Sequence, residues 1–223
     1  MITENAPEKI RKFNERGLHY NLVADEVYRI RNSKLDPFDN EYMPYIIAAL
    51  ISFDMGRMMG SNAESRYDTK REGFANHLLK KLKTIKPYIG HLMNLRLEDF
   101  SLSSEKENIK IAYSILSSGG KDGLNQRQGE FHVGSTKILH FMNPRLFIIV
   151  DSNAARAFNL AHHVNFRNTT QPGYSVDKYI ECMEYARTDI LKYGVDKFCA
   201  LDKGVPIARI YDKLTFMTGS KKP

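Results

Sequence analysis

The chain has 223 residues, 33 Lys and Arg against 26 Asp and Glu for a formal charge of +7, and 42% hydrophobic and 11% aromatic content. That composition is far from a disordered chain's, and a chain this long buries roughly 70% of its unfolded surface without disulfide or metal staples. The longest nearly apolar stretch, Tyr45 to Phe53 with Ser52 inside it, is too short to cross a bilayer, and Cys182 and Cys199 lack the CxxC spacing of a structural zinc site.

The first residues lack the basic-then-apolar order of a secretion signal, which predicts a cytoplasmic protein with no membrane partner. Mixed helical spacing from about Pro7 to Arg31 predicts helix interrupted at Gly17, and Ser33 to Asp39, with Pro37, is a breaker. Pro44 opens a segment to about Met59 in which Ile46, Ile47, Leu50, Ile51, Met55 and Met58 cover most of the circumference, the pattern of a buried helix. A helix follows from Arg71 to Lys83, broken at Lys86-Pro87 and Gly90.

From Glu105 to Ser117, Ile109, Ala112, Tyr113 and Leu116 make one clean helical face that stops at Gly119-Gly120. A polar connection, Lys121 to Glu130, leads to Gly134-Ser135 and a helix from Thr136 to Met142, ended by Asn143-Pro144. Leu146 to Val150 is the one strand-like run, and Asp151 is placed to cap the helix that begins after it. Helices from Val176 to Tyr193 and from near Pro206 complete the chain. The fold class is all-α: one helical unit spanning 1–223, or two subdomains facing a cleft.

Between Ile109 and Asn159 the order is helix, glycine-bearing connection, helix, apolar run, aspartate, helix. The strings Gly134-Ser135-Thr136-Lys137-Ile138-Leu139-His140-Phe141, Pro144 and Phe147-Ile148-Ile149-Val150-Asp151 resemble the signature of the helix-hairpin-helix DNA glycosylases. More narrowly, they are similar to the divergent group with an 8-oxoguanine DNA glycosylase-like fold. The resemblance implies a multi-helix glycosylase fold, DNA as partner, no cofactor, and base excision on a damaged base such as an oxidised purine.

It also implies residue roles. Gly134 would sit in the hairpin turn and let backbone N–H groups approach a phosphate, with Ser135 and Thr136 beside it. Asp151 would stabilise the positive charge that develops at the sugar C1′ as the base leaves. Lys137, the nearest lysine to the family's nucleophile position, would attack C1′ if the protein is also a lyase. The family hairpin reads Gly-Val-Gly-x-Lys, whereas here Lys137 lies three residues past Gly134 and Thr136 takes the lysine's place when the glycines are aligned. Members with a hydroxyl there cleave only the glycosidic bond.

Other readings stand beside these. Asp151 can be a helix cap alone, and Lys137 a solvated or phosphate-contacting lysine. Lys121 and Arg127, beside three glycines, are candidate phosphate contacts or a solvated turn. Asp54 and Arg57 are spaced to pair on the central helix. Phe53, Met55, Met58, Phe141 and Phe147 could stack on an extruded base, although helical Met and Phe usually belong to a core. His162-His163 lacks a third ligand, so no metal site is expected. The alternatives to a glycosylase are a non-catalytic DNA-binding protein of the same fold and a helical protein-interaction domain whose charge is incidental.

Overall fold

Apolar spacing dictates helix along most of the chain, and no β-strand occurs among the described residues. The structure, a computed structural model, describes residues 1–16, 19–32, 35–55, 74–118, 124, 131–166 and 174–220. Helices α1 (Ala6–Glu15) and α2 (His19–Asn32) come before and after Gly17, whose predicted interruption lies outside the described residues. Pro7 sits in the first turn of α1, where a missing N–H leaves no bond unmade, and Ile10 and Phe13 point into the core. Helix α3 (Met43–Leu50), likewise opened by a proline, passes into a single π-helical turn at Ile51–Met55. Ile46, Ala49 and Leu50 are buried, whereas Ile51 is 53% exposed. The all-round apolar pattern therefore does not bury every residue.

Helix α4 (Phe74–Ile89) runs through Pro87 instead of breaking at Lys86-Pro87. A proline near a helix end removes one N–H, and the carbonyl left without it belongs to exposed Lys83, where water can serve it. The break falls at Gly90, which opens the short 3-10 helix Gly90–Asn94. Helix α5 (Leu102–Ser117) packs on α4 and buries the predicted face of Ile109, Ala112, Tyr113 and Leu116. The remaining helices are α6 (His132–Met142), α7 (Ser152–His162), α8 (Val176–Tyr193), the short α9 (Val195–Cys199) and α10 (Ile207–Gly219). None of the described helices is long and apolar enough to cross a membrane.

Leu146 closes a turn after Pro144, and Phe147 to Val150 run on without helix; all five residues are buried, yet they have no strand partner among the described residues. Buried backbone groups must still be paired. Here side chains from three helices replace the missing ladder. From α6, His140 Nδ1 donates to the Phe147 carbonyl at 2.7 Å, and Thr136 Oγ1 accepts from Val150 N at 3.2 Å. From α8, Tyr179 donates to the Ile148 carbonyl at 3.2 Å. From α10, Asp212 Oδ1 accepts from Ile149 N at 2.8 Å. The segment that delivers Asp151 is thereby fixed to α6, α8 and α10 at once.

Helices α7 and α10 pack closely together. A Cβ on Gly219 would overlap the Asn153 carbonyl oxygen, so the end of α10 seats on the first turn of α7 only because residue 219 has no side chain. Arg156 of α7 locks that contact by donating Nε to the Gly219 carbonyl at 2.7 Å.

Candidate functional site

Asp151 caps α7 as its position in the sequence predicted. Its backbone is extended, and Oδ1 accepts from Asn153 N at 2.8 Å and Ala154 N at 2.9 Å. These two orphan amides hold the carboxylate at the positive end of the helix. Oδ2 makes no hydrogen bond among the described residues. Lys137 lies in the second turn of α6, only 5% exposed, and its Nζ donates to the Phe53 carbonyl at 2.8 Å. The ammonium nitrogen also stands 5.6 Å from the centre of the Phe53 ring, within cation–π range.

Both residues line one cleft of about 620 Å³, inside the range of roughly 300–1,000 Å³ typical of small-molecule sites. Phe13, Phe53, Phe216 and Tyr174 supply aromatic wall, and Arg209 and Asp212 of α10 supply two further polar groups. Burial, with the negative charge of Asp151 next in effect, pushes the Tyr174 phenol up to about 12, so it stays protonated and can donate. Arg209 is 4% exposed. Its guanidinium stands between the Phe13 and Phe53 rings, 5.4 and 5.2 Å from their centres, and Nη2 donates to Asn21 Oδ1 at 2.8 Å. One fixed positive charge is therefore built into the apolar wall.

Asp212 is the unusual group. Its Oδ1 is engaged by Ile149 N, while Oδ2 is buried with no hydrogen-bond partner. Burial raises its carboxyl well above the usual range; Arg209 opposes this without reversing it, and Asp151 adds to it. Behind Asp212, burial and then Arg209 push the His140 imidazole down to about 3, so the ring is neutral. Nδ1 faces the Phe147 carbonyl and must carry the proton, which leaves Nε2 to accept from Tyr28 Oη at 2.7 Å. The cleft is backed by the hydrogen-bonded pair Tyr28 and neutral His140, next to an Asp212 carboxyl that burial pushes toward its protonated form.

The residues predicted to touch DNA at the hairpin are placed differently. Helix α6 begins at His132 rather than Thr136, so Gly134 lies in its first turn and not in a connecting turn. A Cβ at Gly134 would overlap the Phe131 ring, which packs onto it. Ser135 and Thr136 are buried, and their hydroxyls donate to the Phe131 carbonyl at 2.7 Å and the Val133 carbonyl at 2.9 Å. As folded, these three residues present no surface to a phosphate; their chemistry serves the packing of α6. Lys121, Arg127, Arg57 and the side chains of Asp54, Met55 and Met58 lie outside the described residues. Of the candidate stacking residues, Phe53 reaches the cleft, whereas Phe141 and Phe147 are core.

Arg209 and Asp212 escaped sequence reasoning. The last helix presents Ile207, Ile210, Tyr211 and Leu214 as its apolar face, and polar residues between such positions ordinarily face water. Their spacing with Phe216 (209, 212, 216) was the available signal, since it puts all three on one face. No protein family, curated protein or solved structure matches this chain.

Proposed function

We propose that the protein is a DNA-binding base-excision enzyme of helix-hairpin-helix glycosylase type, acting on a damaged base such as an oxidised purine. The observation that carries the reading is that Lys137 and Asp151, the two residues singled out for this chemistry in the sequence, line one cleft. The aromatic side chains around them suit a flat ring withdrawn from the stack. Asp151 Oδ2 offers a negative charge to the sugar C1′ as the C1′–N bond breaks, and the capped Oδ1 keeps the carboxylate aimed. Asp212 lines the same cleft, and burial pushes its carboxyl toward the protonated form, which keeps a second negative charge from competing with Asp151. Lys137 stands in the wall as the amine for C1′ attack in a lyase, or as a positive charge in an enzyme that uses water.

Base release from oligonucleotides bearing single oxidised purines tests the reading, with Asp151→Asn as the control. Asparagine still caps a helix, so folding and DNA affinity are retained while base release is abolished. Unchanged release in Asp151→Asn would leave that residue a cap. Salt-dependent DNA binding by the parent without release of any base would identify a non-catalytic DNA-binding protein.

A further inference from the structure

The cleft of Lys137 and Asp151 holds two uncharged polar side chains that the chemistry described so far does not use. Asn153, in the first turn of α7, is one of them. Its backbone N–H donates to Asp151 Oδ1, and its carbonyl oxygen lies where a Cβ on Gly219 would fall. Its side-chain Oδ1 accepts from Arg156 Nη2, and Arg156 is itself held by donating Nε to the Gly219 carbonyl at 2.7 Å. A guanidinium donates and cannot accept, so the amide has one orientation, with Oδ1 toward Arg156 and Nδ2 turned away from it. Nδ2 makes no hydrogen bond among the described residues.

Tyr174 is the other. Its ring packs against Phe166, with centres 5.4 Å apart, and lies within 25° of parallel to the His132 ring at 6.4 Å. Its hydroxyl makes no hydrogen bond among the described residues. The phenol feels the charges of both Asp151 and Arg156, which sets it beside the turn of α7 that carries Asn153. Two neutral donors thus stand next to the Asp151 carboxylate. A phosphate placed there would meet the negative charge of Asp151. A carbonyl oxygen carries no net charge, accepts through two lone pairs, and lies in the plane of a ring that the aromatic walls can hold. An amino group in the same place would set N–H against N–H.

We propose that Asn153 and Tyr174 are specificity-determining residues of the cleft, donating from Nδ2 and Oη to an oxo group on the ligand's ring. The cleft then takes oxo-bearing purines in preference to their amino or unsubstituted counterparts. This rests on the base-binding part of the function proposed above and does not depend on base excision.

The test uses the full chain and two pairs of nucleosides, deoxyinosine against deoxyadenosine and 8-oxo-deoxyguanosine against deoxyguanosine, with affinities from calorimetry. Stacking differs little within a pair, so the ratio of affinities reports the oxo contact. The parent favours the oxo member of at least one pair by roughly tenfold, the worth of a neutral hydrogen bond. Tyr174→Phe keeps the ring, loses the hydroxyl and narrows the ratio. Asn153→Asp keeps the pairing with Arg156, suits the first turn of a helix and puts an acceptor where the donor was. It closes the ratio or reverses it toward the amino member, which a merely loosened cleft would not do. Circular dichroism checks the fold of both variants. Loss of the ratio in either variant supports the assignment of that residue. Equal affinities within both pairs in the parent, no binding of any of the four nucleosides, or a ratio that survives both substitutions overturns the proposal. Base release from duplexes is scored separately. An oxo preference that needs Asn153 or Tyr174, without release, sinks only the excision reading, whereas release by a protein that shows no such preference sinks only the oxo subsite.

Discussion

Asp212 Oδ2 lies 3.4 Å from His140 Nδ1, and no hydrogen bond joins them. A carboxylate and an imidazolium at this separation would close into an ion pair. Burial instead keeps the imidazole neutral and pushes the carboxyl toward its protonated form, with the imidazole proton directed to the Phe147 carbonyl. An acid proton on Oδ2 then has no protein acceptor, and the side chain lines the cleft. The atom is buried just behind the cleft wall that Asp212 helps to form. That is a costly use of a buried polar atom unless a ligand completes it.

The first prediction concerns Asp212→Asn. In the native state the carboxyl binds a proton that the unfolded chain releases above about pH 3.9. Its contribution to stability therefore falls as pH rises from there toward the elevated native pKa, at up to about 1.4 kcal/mol per pH unit. Asparagine carries no such proton and keeps an N–H donor near Oδ2. Urea unfolding should show the variant gaining on the parent as pH is raised above 4. A constant difference would mean that Asp212 is ionised in the native protein.

His140 gives a prediction of opposite sign. Its native pKa of about 3 lies below the ordinary value of 6.5. The stability from burying a neutral ring is complete above the ordinary value and is lost as pH falls toward 3, because the unfolded chain takes up the proton first. Two-bond nitrogen–proton correlation spectra should show one tautomer, protonated at Nδ1, unchanged between pH 8 and 5. A ring that titrates near 6.5 would remove the neutral pair behind the cleft.

Gly219→Ala tests what holds α10 against α7. The new methyl must displace the Asn153 carbonyl, which belongs to the turn capped by Asp151. Overpacking of this kind destabilises by about 1–3 kcal/mol, measurable by denaturant unfolding. Because α10 carries Arg209 and Asp212 and α7 follows Asp151, base release should fall as well. A variant as stable and active as the parent would show that the two helices slide without consequence for the cleft.

Where a local rule decided the structure, the sequence was readable. Val176 to Tyr193 is helical between the predicted bounds, and Asp151 caps α7 with two short bonds, because capping and apolar period act within a turn or two. Where a distant neighbour decided, it was not. Gly134 reads as a turn glycine, yet its missing Cβ makes room for the Phe131 ring at the start of α6. Arg209, Asp212 and Lys213 are charged residues set among the apolar positions of the last helix, yet each is at most 6% exposed. Phe13 and Phe53 enclose Arg209, and Asp202 reaches Lys213 Nζ at 2.6 Å. Such partners come from the opposite end of the chain or from a loop, and no period in α10 announces them.

The last prediction concerns Lys137. If its amine attacks C1′, a C–N bond to the enzyme replaces the bond to the base, and the sugar opens to a Schiff base that borohydride reduces to a stable protein–DNA adduct. The parent should then be trapped on a substrate oligonucleotide, and Lys137→Gln should not, since glutamine keeps most of the length and loses the nucleophile. The bond from Nζ to the Phe53 carbonyl means that the substitution also loosens the wall formed by the π-helical turn, so thermal unfolding must be compared in parallel. Base release that survives in Lys137→Gln without trapping would assign hydrolysis to water, with Asp151 acting alone on the developing charge. Trapping that persists in the variant would move the nucleophile to another amine, Lys121 first, and leave Lys137 as the positive charge that the cleft places against Phe53.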